Sequence, residues 1–93
     1  MTIENILKNI IDLCAKFSAD CVILFGSRAK GTNTERSDID IAVKGVKNIW
    51  ELQEKLEEIP TLYKIDLVDL DTCKNQLLME DIEQYGREIY KKI

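Results

Sequence analysis

The sequence contains no histidine, and that absence excludes whole classes of chemistry. Without imidazole there is no Ser-His-Asp or Cys-His nucleophile machinery and no histidine-ligated zinc. A general base must then be a carboxylate, or less often a lysine or tyrosine. Cysteine is scarce: an odd count of three, with no secretory signal, fits a reducing cytoplasm. No internal repeat or low-complexity tract stands out, and no apolar run approaches the ~18 residues of a membrane span. Positive charge is also short. The formal net charge is -4, whereas proteins that bind a nucleic-acid backbone usually carry a basic face. A nucleic acid is therefore not the expected main ligand, although local basic residues can still hold one nucleotide.

What is present reads as a globular chain. Hydrophobic residues make up 45% and charged residues 32% of 93 residues, enough for one domain over 1–93 and not for two. A chain of this size buries only about two thirds of its unfolded surface, so its core is modest and a partner is expected to contribute stability or part of the site.

Apolar residues recur at three and four in Ile3, Ile6, Leu7, Ile10, Ile11, Cys14 and Phe17, which predicts an amphipathic helix capped by Thr2 and ended by Ser18-Ala19-Asp20. Cys14 and Cys21 are expected in the core. Cys21 to Phe25 is a continuous apolar run that stops at Gly26-Ser27, a strand buried on both faces. Ser27 to Lys30 reads as one turn of helix, followed by a polar loop to Ser37. Asp38 to Val43 alternates and then turns apolar, a second strand. Asn48, with Glu51 three residues on, caps a helix that buries Ile49, Leu52, Leu56 and Ile59 and closes at Pro60. Trp50 lies off that stripe, and Glu54, Lys55, Glu57 and Glu58 make an ordinary solvated face. Ile65 to Leu70 is a third strand. A last helix is expected over about 72–84 with Leu77, Leu78 and Ile82 inward, Asp71 as its cap and Gly86 as its C′ residue. Residues 87–92 fit either a short edge strand or a helical tail. The order α-β-α-β-α-β-α implies a small α/β (α+β) domain, with a mixed sheet of three to four strands flanked by helices.

The chemistry gathers at two places. Asp38 and Asp40 are two apart, so on a strand both point to one face. Adjacent carboxylates repel unless a cation lies between them. Either they sit at an exposed strand end, or they bind a hard ion such as Mg²⁺ or Mn²⁺, which commonly brings nucleotide phosphates with it. Gly26-Ser27 lets a backbone approach a ligand closely where a short helix starts, and its free N–H groups favour an anion. Arg28, Lys30 and Arg36 are candidates to neutralise more phosphate charge. Two-metal chemistry calls for a third acid. Asp66 is favoured over Asp69, which has the opposite parity near the strand end. Tyr63, Tyr85 and Tyr90 read as packing residues.

Gly26-Ser27, ten residues, then Asp38-Ile39-Asp40 resembles the GS-x10-DxD signature of the polymerase-beta-type nucleotidyltransferases. Gly26-Ser27-Arg28-Ala29-Lys30-Gly31 with Ser37-Asp38-Ile39-Asp40 is similar to the minimal nucleotidyltransferase branch, which includes MNT antitoxins paired with HEPN-domain toxins. The resemblance covers nearly the whole chain, extending to Ile65–Leu70 and to Gly86, Ile89 and Tyr90. Lys30 departs from it, standing where arginine is common. The resemblance implies that Asp38, Asp40 and Asp66 hold two Mg²⁺ (or Mn²⁺) ions and are the catalytic acids, with Asp66 also taking the proton of the attacking hydroxyl. It places the nucleoside triphosphate, ATP, on Gly26, Ser27, Arg28, Arg36 and Ser37. It further implies transfer of AMP to a hydroxyl, with a tyrosine of a HEPN-type toxin as the acceptor in a hetero-oligomer. The competing expectation is a non-catalytic antitoxin or nucleotide-sensing module that neutralises its partner by complex formation. Three intact acids favour the enzyme, since a pure binder has no need of a third carboxylate.

Overall fold

The computed structural model describes residues 2–93. Helix α1 spans Ile3–Lys16, and Thr2 caps it as expected, its Oγ1 accepting from the Asn5 N–H at 3.2 Å. The helix ends at Phe17, and Ser18 then takes φ 67°, which turns the chain into strand β1, Cys21–Phe25. The one-turn helix α2 (Ser27–Lys30), strand β2 (Ile39–Lys44), helix α3 (Ile49–Glu57), strand β3 (Ile65–Asp69), helix α4 (Gln76–Tyr85) and strand β4 (Arg87–Lys91) follow.

The four strands form one mixed sheet in the order β3-β2-β1-β4. β1 runs antiparallel to both β2 and β4, while β2 and β3 are parallel across the α3 crossover. One face of the sheet offers Val22, Leu24, Ile39, Ile41 and Val43, and these pack with Ile6, Ile10 and Cys14 of α1 and Leu52 and Leu56 of α3. The other face offers Phe25 and Ala42, with Ile23 and Val68, to Ile82 and Leu78 of α4. β1 is thus covered on both sides, which is why its sequence shows no polar alternation. Full burial of each such aliphatic side chain contributes ~1.5–3 kcal/mol. Gly45 ends β2, and Asn48 caps α3 by accepting from the Glu51 N–H at 3.1 Å.

Several expectations are corrected. Asp38 precedes β2, which begins at Ile39. Helix α4 starts only at Gln76, capped by Asn75. Asp71 instead accepts from the Gly45 N–H at 2.7 Å, tying the end of β3 to the end of β2. Leu77 is turned out to solvent at 79% exposure, while Leu78 and Ile82, four apart on one helix face, meet the sheet. Gly86 is extended (φ -63°, ψ 146°) and not left-handed. It is tolerated there because a Cβ would overlap the Ile82 carbonyl and lie 2.7 Å from Ile23 Cγ2. The terminal segment left open by the sequence is a strand. Cys21 is only half-buried, whereas Cys14 is fully enclosed, and burial pushes its thiol up to about 12. Trp50 is exposed.

Candidate active site

The antiparallel register sets the end of β1 beside the start of β2, with Phe25 opposite Asp40. The parallel register sets Asp40 opposite Asp66. Directly paired residues of neighbouring strands point to the same face, so both carboxylates leave the sheet on the α4 side. Asp66 is therefore where its strand parity placed it, and Asp69 is not part of the site. The Asp69 carboxylate instead holds the following turn, accepting from the Asp71 N–H at 3.1 Å and the Thr72 hydroxyl at 3.3 Å.

Gly26 closes the site from the β1 side. Its φ of 74° is a conformation that side chains disfavour, and a Cβ there would collide with the Asp40 carboxylate. Glycine is thus required twice over, for the turn and for the close approach of backbone to acid. Ser27 begins α2 immediately beyond; the Ala29 and Lys30 N–H groups donate to the Gly26 carbonyl at 3.2 and 3.1 Å, and no side chain caps that turn, which leaves the Ser27 and Arg28 amides for an anion.

The Asp40 carboxyl is held above the usual carboxylate range. Partial burial is the largest cause, followed by the negative charges of Asp66 and Asp38 and a hydrogen-bonding contact with Asp66; Lys64 opposes these. Lys64 Nζ lies 3.5 Å from Asp66 Oδ1 on the exposed side. Among the described residues, no three acidic or sulfur side chains are gathered tightly enough to enclose an ion. What is assembled is an Asp40–Asp66 pair, with Asp38 exposed at the loop end and close enough to add its charge. Oxygen donors of net negative charge, crowded enough to raise a pKa, fit a hard divalent cation, which would remove the repulsion.

The basic residues are distributed differently from expectation. Arg28 donates to the Ser37 carbonyl through Nε at 3.2 Å and Nη2 at 2.9 Å, and its guanidinium lies 4.9 Å from the centre of the Tyr63 ring. Lys30 pairs with Asp81 at 2.8 Å and sits 5.0 Å from the Tyr85 ring, fastening α2 to α4. Arg36 is exposed beside a cleft of about 760 Å³, lined also by Glu35, Pro60, Thr61, Leu62 and Tyr63. Ser37 turns inward on its own loop, its Oγ accepting from the Thr34 N–H at 2.8 Å. Sequence reasoning missed Lys64 and the part played by Tyr63. Lys64 was detectable, because it stands two before Asp66, just ahead of β3; the Arg28–Tyr63 stack joins residues far apart in sequence and leaves no local pattern.

With a glycine-closed turn and an acid pair at one end of a small mixed sheet, the chain belongs to the polymerase beta nucleotidyltransferase family, whose model matches residues 8–93. It is similar to the protein adenylyltransferase MntA of Shewanella oneidensis, with 35% identity over 74 residues, covering 74% of this chain and 52% of MntA. Its fold matches a toxin–antitoxin crystal structure with AMP-PNP at a TM-score of 0.74 and 32% identity, covering 98% of this chain and 75% of that one. It also matches a tri-AMPylated Shewanella oneidensis HEPN toxin in complex with MNT antitoxin, at a TM-score of 0.71 and 28% identity over 96% of this chain and 72% of that one. No helix among the described residues is long and apolar enough to cross a membrane.

Proposed function

We propose that this chain transfers AMP from ATP to a tyrosine hydroxyl of a HEPN-type toxin, and that it acts as that toxin's antitoxin in a cytoplasmic hetero-oligomer. The observation that carries the proposal is the Asp40–Asp66 pair in register on parallel strands, closed by Gly26. The AMPylated state of the HEPN toxin in the matched complex supports the acceptor, and the AMP-PNP complex supports the donor.

In this reading the first-turn amides and hydroxyl of Ser27 hold the triphosphate. Arg36 has no hydrogen-bond or ion-pair partner for its guanidinium among the described residues and is the cation free to reach the phosphates. Asp40 and Asp66 would hold Mg²⁺ or Mn²⁺, with Asp38 rotating in as a third ligand. Bound there, the ions would supply charge stabilisation to the attacking and leaving oxygens. The acceptor oxygen attacks the α-phosphorus as its bond to the pyrophosphate oxygen breaks. Asp66 receives the hydroxyl proton, and pyrophosphate leaves with the electron pair.

The test incubates purified chain, ATP labelled in the adenylate, Mg²⁺ and a purified HEPN-type partner protein. We expect label on the partner, lost at least ~100-fold in Asp38→Asn, Asp40→Asn and Asp66→Asn, as for removal of groups that would hold the metal and so stabilise the transition state. An unlabelled partner, together with Asp38→Asn cells that survive the toxin as well as wild type, would replace transfer with neutralisation by complex formation.

A further inference from the structure

Asp38 is the one acid of the three with no strand to hold it. It is exposed, it precedes β2, and it ends a loop that begins at Gly31. Asp40 and Asp66 are fixed by strand register, so the placement of Asp38 needs another cause. Ile39 is anchored next to it, its N–H donating to the Lys64 carbonyl at 2.9 Å. The preceding peptide is anchored from elsewhere, since both Nε and Nη2 of Arg28 donate to the Ser37 carbonyl. That carbonyl and the Asp38 N–H belong to one planar unit. A fork on the carbonyl therefore fixes the plane from which the Asp38 side chain departs.

Arg28 is itself held. It rises from α2, one residue after Ser27, and its guanidinium lies over Tyr63, the residue before Lys64. One side chain thus ties together the segment that bears Gly26-Ser27, the loop that ends in Asp38, and the lead-in to β3 and Asp66. A planar guanidinium suits this task because it donates twice in one plane and stacks on a ring through its face. An ammonium does neither.

We propose that Arg28, seated on Tyr63, is a positioning residue that orients Asp38 for the divalent cation, and that it does not contact the phosphates. The inference rests on the metal reading of the acids. Arg28 acts through Asp38 and touches no reacting atom.

Manganese binding to the full chain, followed by electron paramagnetic resonance with and without AMP-PNP, tests this independently of turnover. Arg28→Lys keeps the charge and loses the fork. Its Mn²⁺ affinity should fall about 10- to 100-fold, as for other groups that orient metal ligands. Tyr63→Ala should weaken Mn²⁺ about 2- to 5-fold by removing the ring beneath the cation, and Tyr63→Phe should restore it. In an Asp38→Asn background, Arg28→Lys should add nothing, because its effect passes through the missing carboxylate. Melting curves identify any variant that fails to fold, and the Tyr63 pair then decides the question. Unchanged Mn²⁺ affinity in both Arg28→Lys and Tyr63→Ala overturns the proposal. So does weakening of metal-free AMP-PNP binding by Arg28→Lys, which would make Arg28 a phosphate contact. If Asp38→Asn itself leaves Mn²⁺ affinity unchanged, the metal reading of Asp38 has failed, and the proposal fails with it.

Discussion

Asp40 shows how the site's chemistry opposes the chain's stability. Its carboxyl titrates above the ordinary range because it is partly buried against Asp66 and Asp38. The folded chain therefore keeps that proton to a higher pH than the unfolded chain does. By linkage, stability falls as pH rises from the unfolded pKa through the folded one, and the penalty is absent only below both. Asp40→Asn has nearly the same shape and no charge. It should raise Tm at pH 7 by a small amount, since solvent screens much of the effect at a partly exposed group. The gain should shrink as pH drops through the carboxylate range, and circular dichroism melts at pH 7 and pH 4 measure it. A lower Tm for Asp40→Asn at pH 7 would mean that the crowding is not repulsive. Gly26 and Asp40 were legible in the fixed spacing of the sequence, but the pairing of Asp40 with Asp66 is set by strand register, and Asp38 lies ahead of β2, where strand parity does not place it. Asp66 was recognisable by the parity of its own strand. The fate of Arg28 was not: whether a guanidinium binds a ligand or a carbonyl nine residues on is decided by how the loop closes, which no local pattern records.

At the scale of elements, the errors fall where backbone-bonding side chains compete. Asp71, Thr72 and Asn75 are all cap-type residues ahead of an apolar helix. The structure uses Asp69 and Asp71 to close the turn after β3 and gives the cap to Asn75, whose Oδ1 accepts from the Leu78 N–H at 3.1 Å. Short polar side chains favour such local turns over helix, so the helix start moves several residues on. Asn75→Ala should cost about 1 kcal/mol in urea unfolding. Thr72→Ala, which loses only an exposed 3.3 Å bond to Asp69, should stay within about 0.5 kcal/mol. Equal losses would put the helix start back near residue 72. Strand β4 was undecidable for a different reason. Arg-Glu-Ile-Tyr-Lys has no strong period, and its partner is β1, more than sixty residues earlier in the chain. Only that distant pairing makes it a strand.

Across the whole molecule, the acids lie at an edge that encloses little. Asp38 is exposed, β3 is an edge strand of the sheet, and the cleft along Arg36 and Tyr63 is lined by none of the three acids and has Leu62 fully exposed on its wall. With divalent cations on its acids and Arg36 alongside, such a surface can hold a triphosphate by charge, but it offers few contacts that would orient a tyrosine. Orientation must then come from the acceptor's own protein docking against this chain. Binding energy from remote contacts is realised at the reacting atoms, so a truncated substrate loses turnover as well as affinity. A short peptide bearing the acceptor tyrosine should accordingly be labelled at least ~100-fold less efficiently in kcat/KM than the folded HEPN-type partner, the order of loss expected from poor alignment. The comparison uses one enzyme preparation, saturating ATP and Mg²⁺, and peptide and protein titrated in parallel. Comparable kcat/KM values would show that the cleft beside Arg36 and Tyr63 recognises the tyrosine segment directly, and that docking adds nothing to transfer.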